Sequence, residues 1–243
     1  MFRMRNTFTM IHKVKNLVIF ETNCHMKRLL SFCLFITIVF IAKAEVGVEV
    51  GAKAGFNIAH LRKFSAPENY KKRVTVGSDI GAVLRINVHK NFAVQTGIEF
   101  TQKGQAWKRT IDSAKIVNKQ VLNYIQFPVL AVGKVGSEKV KGVFMLGPYF
   151  AYWAGGYTQE AVSAEKMTRD ESHEKYLFSK NDRRFDVGLV TGAGVNVKVG
   201  KGWIEVMARH QLGFMSIASK KSVAPNLFNC NFNLSVGYLY TIK

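Results

Sequence analysis

Residues 183–202 read RRFDVGLVTGAGVNVKVGKG, and two kinds of side chain alternate through them. Phe185, Val187, Leu189, Thr191, Ala193, Val195, Val197 and Val199 fall on one side, against Asp186, Gly188, Val190, Gly192, Gly194, Asn196 and Lys198 on the other. A period of two belongs to an extended strand, whose successive side chains point to opposite faces. The run holds for about 15 residues, whereas an ordinary strand has about five or six. A helix starting at Gly194 would scatter the valines around its circumference. GAGVNV also carries Val197 where a dinucleotide fingerprint needs its third glycine, so no cofactor is expected here.

The same period recurs along the chain. Val48, Val50, Ala52, Ala54, Phe56 and Ile58 oppose Glu49, Gly51, Lys53, Gly55 and Asn57. Val74 to Val88, Phe92 to Phe100, Ile204 to Phe214 and Cys230 to Tyr240 repeat it, while 121–134 and 140–153 are more uniformly apolar. Together these segments predict eight strands. The connections HK, VGSEK and GKG are short, and those near 62–73, 107–120, 154–183 and 216–226 are long and polar. Strict alternation of short and long links predicts an all-β fold, an eight-stranded antiparallel up-and-down transmembrane β-barrel with short periplasmic turns and long external loops.

Two eight-stranded barrels fit such a pattern, and the faces decide between them. A soluble, lipocalin-like barrel turns its apolar face inward, whereas a membrane barrel turns it toward lipid. Here the face rich in glycine also carries Glu49, Lys53, Asp79, Arg85, Glu99, Asp186, Lys198, Glu205 and Arg209. A narrow lumen has room for side chains only, so glycines would make space for a structural network of ion pairs among these nine. Trp107, Tyr149, Tyr152, Trp153, Tyr157, Phe185, Trp203, Phe214, Tyr238 and Tyr240 stand near strand ends and are expected in interfacial girdles.

Charge must be weighed together with targeting. The chain has 35 basic and 16 acidic residues, a balance that suits nucleic acid. Met26 to Ala44, MKRLLSFCLFITIVFIAKA, nevertheless has a basic start, an apolar run and the small-x-small site Ala42-Lys43-Ala44 of a secretory signal. Residues 1–25 read as an upstream extension, 26–44 as a cleaved signal peptide and 45–243 as the barrel domain. Removing 1–44 takes seven of the 35 basic and one of the 16 acidic residues, leaving 28 against 15 and Cys230 as the remaining cysteine. Export makes nucleic acid an unsuitable partner and places the chain in a bacterial outer membrane. An internal disulfide is excluded in the exported chain.

GAKAGFNIAHL, GIEFTQKG, LNYIQFPVLA, GPYFAYW, FDVGLVTGAGV and NLSVGYLY resemble, in that order, the landmarks of the PorT-like outer-membrane β-barrel family of Bacteroidetes. The resemblance runs over residues 46–243. It implies an outer-membrane barrel and, for the best-known member, a role in secretion. No motif in this chain marks one activity.

His60, His89, His173 and His210 lie on different segments without metal-ligand spacing, so no metal site is expected. Glu99 and Glu205 could form a carboxylate pair in the lumen, but carboxylates among Lys and Arg serve structural pairing, and no nucleophile with an adjacent base is visible. The loops say more. RKFSAPENYKKR, KRTIDSAKIVNKQ and ASKKSVAP are basic, which presents Lys71, Lys72, Arg73, Lys108, Arg109, Lys220 and Lys221 to lipopolysaccharide phosphates. The long segment 154–183 is expected to face an envelope protein partner. These features predict a non-enzymatic outer-membrane barrel in contact with outer-membrane lipid, with a structural, surface-interaction or secretion-assembly role. A lipid-modifying barrel enzyme and a soluble ligand-binding barrel are the alternatives.

Overall fold

Alternating segments become strands when each can bury one face and pair both edges, and closure into a ring satisfies every edge at once. The computed structural model describes residues 47–65, 69–111, 114–164, 167–180, 182–218 and 226–242. The extension 1–25, the signal segment 26–44, and Lys220 and Lys221 lie outside the described residues. The strands are β1 (Gly47–Arg62), β2 (Lys71–Arg73), β3 (Thr75–His89), β4 (Phe92–Ile111), β5 (Ala114–Gly136), β6 (Val140–Ala164), β7 (Met167–Lys175), β8 (Phe185–Val199), β9 (Gly202–Ser216) and β10 (Phe228–Ile242). Going round, β1, β3, β4, β5, β6, β8, β9 and β10 pair antiparallel in turn, and β10 returns to β1. The fold is the eight-stranded up-and-down barrel that the pattern predicts.

The face assignment excludes the soluble alternative. Ile80, Ile98, Phe144, Val206 and Val236 project outward with more than half of their surface exposed. On alternate positions Asp79, Arg85, Glu99 and Arg209 are wholly buried inside. In water this is inside out, and in a bilayer it is the stable arrangement. The glycines of β8 serve this curvature in two ways. A Cβ on Gly192 would stand 2.9 Å from the Arg209 Cγ, so that glycine makes room for a buried guanidinium. A Cβ on Gly194 would instead strike the Val206 carbonyl oxygen of β9, so there the close approach of two backbones excludes any side chain. At the tight link to β9, Gly200 has φ +60°, where a side chain is strained.

Two of the expected long loops are mostly strand. β4 and β5 remain paired as far as Ile111 opposite Ala114, and β5 and β6 as far as Lys115 opposite Ser163. β2 adds to the upper part of β4, and β7 to the upper part of β6. A five-stranded sheet, β2-β4-β5-β6-β7, therefore stands beyond the barrel rim. Polar residues dominate it, but β-branched Thr110, Ile116, Val117 and Val162 recur, and each strand has a neighbour to bond.

The girdle expectation needs correction as well. Tyr152, Phe185, Phe214, Tyr238 and Tyr240 do project outward. Tyr149 and Trp153 are fully buried on the inward face of β6, where Tyr124 of β5 joins them. β5 and β6 are apolar on both faces because one meets lipid and the other meets an apolar filling of the lumen. Leu122, Leu130, Val132, Val143, Met145, Val190 and Met207 complete that filling.

A charge-filled lumen and a basic sheet face

Ten charged side chains are buried in the lumen among the described residues, five of each sign. Eight are Glu49, Lys53, Asp79, Arg85, Glu99, Asp186, Glu205 and Arg209, and the other two, Lys103 and Lys134, sequence reasoning missed. They form tiers. Toward the short turns, Arg85 bonds Glu205 at 2.5 Å and Glu49 at 3.4 Å, and donates from Nε to Gln95 at 2.9 Å. Lys134 lies 3.8 Å from Glu49 and also donates to Asn87. The Asn196 amide, with its orientation assigned from its neighbours, accepts from the Arg85 guanidinium and donates to the Glu205 carboxylate.

In the middle tier Lys53 and Arg209 share two carboxylates. Lys53 Nζ is 2.6 Å from Asp79 and 3.0 Å from Glu99, and Arg209 is 3.3 Å and 2.8 Å from the same two. Gln126 donates to Glu99 at 3.2 Å, and Arg209 donates to Asn233 at 3.1 Å. Glu99 and Glu205 thus serve different cations and form no carboxylate pair. A charge in a low-dielectric interior is tolerated when it is paired and its remaining hydrogen-bonding capacity is met.

The upper tier joins the charged and apolar halves. Lys103 Nζ stands 3.8 Å from Asp186, donates to Gln126 at 3.0 Å and lies 4.2 Å from the centre of the Tyr149 ring. The Tyr149 hydroxyl and the Asn229 amide donate to Asp186 at 3.0 and 2.9 Å. Above them Trp153 packs against Tyr124, Tyr176 and Phe178.

Lys198 departs from expectation: it is exposed, not part of the network. It lies one residue from the end of β8, beside Trp203, where it lines an open recess of about 630 Å³ with Lys201 and Tyr240. At the rim its ammonium reaches water, so no buried partner is required.

The loop bases are divided by strand alternation. Lys71 and Arg73 stand opposite Lys108 and Ala106, on one face of the upper sheet. Lys72 stands opposite Trp107, on the other face, where Trp107 packs with Phe64 and Arg109 lies over Tyr70. Lys115 and Lys119 share the face of Lys108, since Lys115 opposes Thr110 and Lys119 opposes Ala106. His60 and His210 lie near one another on either side of the buried Cys230, with His210 3.5 Å from its thiol, whereas His89 and His173 lie elsewhere. Among the described residues no group of three or more His, Cys, Asp or Glu is placed to hold a metal.

A membrane barrel with a filled lumen and a raised sheet defines the class. The family model for the outer membrane protein beta-barrel domain matches residues 43–219, and the chain belongs to that family. Solved structures similar to it include OprG of Pseudomonas aeruginosa, at 10% identity over 82% of this chain and 96% of that one, with a TM-score of 0.44. Ail, the attachment invasion locus protein of Yersinia pestis, shares 12% identity over 81% and 99%, with a TM-score of 0.37. Neisserial surface protein A shares 12% over 78% and 95%, with a TM-score of 0.36. No curated protein matches the chain.

Proposed function

We propose that this protein is a PorT-like, non-enzymatic outer-membrane barrel, exported by the signal segment 26–44, whose filled membrane part anchors a raised sheet for work outside the membrane. The observation that supports the reading is the lumen, where balanced ion pairs on one wall face apolar packing on the other, a filling that suits an anchor better than a conduit. The partners in this reading are outer-leaflet lipopolysaccharide around the foot of the sheet and an envelope protein at 154–183, in a surface or secretion assembly.

Photo-crosslinkers placed at exposed Ser172 or Glu174 in living cells test it. The expected result is a discrete protein adduct from β7 that is missing from a lipid-facing control at Ile98. Equal adducts from both positions would remove the partner surface. Purified barrel in planar bilayers should carry no steady current and should release no product from phospholipid or lipopolysaccharide. Turnover of either lipid would replace this reading with a lipid-modifying enzyme.

A further inference from the structure

We infer that the membrane-side face of the raised sheet is a seat for the phosphorylated sugar headgroup of one outer-leaflet lipopolysaccharide, held by Arg73, Lys108, Lys115 and Lys119. The inference rests on the outer-membrane reading and deepens it.

The argument begins with register. β4 and β5 keep one antiparallel register from Phe92 opposite Gly133 to Ile111 opposite Ala114. Alternation therefore carries the lipid-facing rows straight up into the sheet. Ile98 and Phe100 continue as Ala106 and Lys108 on β4, and Phe127 and Ile125 continue as Lys119, Val117 and Lys115 on β5. The basic face is the upward extension of the surface that touches acyl chains.

The surface is also concave. Arg73, Val74, Val76, Lys108, Lys115 and Lys119 help to line a groove of about 520 Å³. Small residues, four cations and half-exposed Val74 and Val76 make up its lining. Among the described residues no carboxylate lines it and none pairs with these cations.

Like charges make the arrangement costly without a ligand. Lys71 stands directly opposite Lys108, a pairing that destabilises a sheet. Lys119 is half-buried and donates to the Val76 carbonyl at 3.0 Å, and desolvation holds its ammonium below the usual lysine range. An anion entering the groove relieves both effects. Phosphate oxygens suit ammonium donors, and a lipid brings its acyl chains to Val76 and Ile80 at the same time.

The test uses the full-length folded barrel in detergent, with lipid A carrying its phosphates as the probe. Native mass spectrometry should show one bound lipid A. The Lys108→Gln/Lys115→Gln/Lys119→Gln variant should bind at least about tenfold more weakly, a loss of about 1.4 kcal/mol. The corresponding triple arginine variant should bind as wild type, and so should Lys72→Gln/Arg109→Gln on the opposite face. Dephosphorylated lipid A should bind poorly, and inorganic phosphate alone should fail to displace the lipid.

Wild-type affinity in the triple glutamine variant would overturn the inference. So would equal loss in the Lys72/Arg109 variant, equal binding of dephosphorylated lipid, or full displacement by inorganic phosphate. Heat-modifiable gel migration and outer-membrane fractionation report separately on the barrel reading. If the triple variant does not fold, Lys108→Gln/Lys115→Gln keeps the Lys119 contact with Val76 and is read in its place.

Discussion

The two halves of the lumen are filled in opposite ways. Around β1, β3, β4, β9 and β10 the inward positions carry Glu49, Lys53, Asp79, Arg85, Glu99, Glu205 and Arg209. Across from them β5 and β6 contribute Leu122, Leu130, Val132, Val143, Met145 and Tyr149. Both fillings are buried, but they fail differently. The charged half depends on complete pairing, so losing one member strands its partners in a low dielectric. The apolar half depends on volume, so its loss grows with the cavity left behind.

Arg209→Met should be the most damaging change, because it leaves both Asp79 and Glu99 with Lys53 as their shared cation. Breaking a buried pair costs about 3–5 kcal/mol. The measurement is the urea midpoint for loss of the heat-modifiable band. Arg209→Met combined with Glu99→Gln should recover part of that loss, and a midpoint no better than the single variant would show that pairing is not what matters there.

Leu130→Ala opens a cavity in the other half. A buried Leu→Ala change costs about 2–5 kcal/mol, whereas the volume-conserving Leu130→Met should cost less than about 1.5 kcal/mol. Equal midpoints for the two would break the contrast between the halves.

Lys103 lies at the seam and tests whether the halves are independent. Lys103→Met keeps the packing volume beside Tyr149 and Tyr124 but removes the ammonium from over their rings, while Asp186 retains the Tyr149 hydroxyl and the Asn229 amide. A loss of about 1–3 kcal/mol is expected, between the other effects and no effect. A loss as large as that of Arg209→Met would mean that Asp186 belongs energetically to the charged half.

The smallest effect concerns the strap above the seam. The Tyr176 hydroxyl bonds Asp182 at 3.2 Å, and burial together with that carboxylate raises its pKa from the usual 10 to about 12. A pKa raised by folding contributes stability that is present below about pH 10 and lost as pH rises through 12. Proteolysis at exposed Leu177 should therefore increase between pH 10 and 12 in the wild type. Tyr176→Phe should be cut more readily at neutral pH and show no such rise. An identical rise in the variant would assign it to another group.

Legibility in the sequence followed the same division. Alternation of polar and apolar positions was enough to place eight of the ten buried charges on the inner wall. It placed Lys198 there too, since parity alone does not reveal that a residue lies at an open rim. Lys103 and Lys134 escape it, because clean alternation in that strand stops before Lys103 and because Lys134 sits in a segment whose two faces look alike. An aromatic in a uniformly apolar strand fits either face, so the sequence points Tyr149 and Trp153 to the girdle while the structure buries both inside. The basic loops were recognised, but their division into two faces was not, since it requires knowing that 107–120 is a paired hairpin.

Local pattern in the chain marks the eight ring strands, their count, their closed antiparallel order and the face that carries charge, whereas β2 and β7 lie in segments it marks as loops. All four follow from a period of two and from connection lengths, which are local properties of the chain. Which charges meet, the apolar filling of half the lumen, and the convergence of Lys108, Lys115 and Lys119 above the lipid-facing rows emerge in the folded ring. Those depend on register between strands distant in sequence, and register is set by the packing of the whole ring.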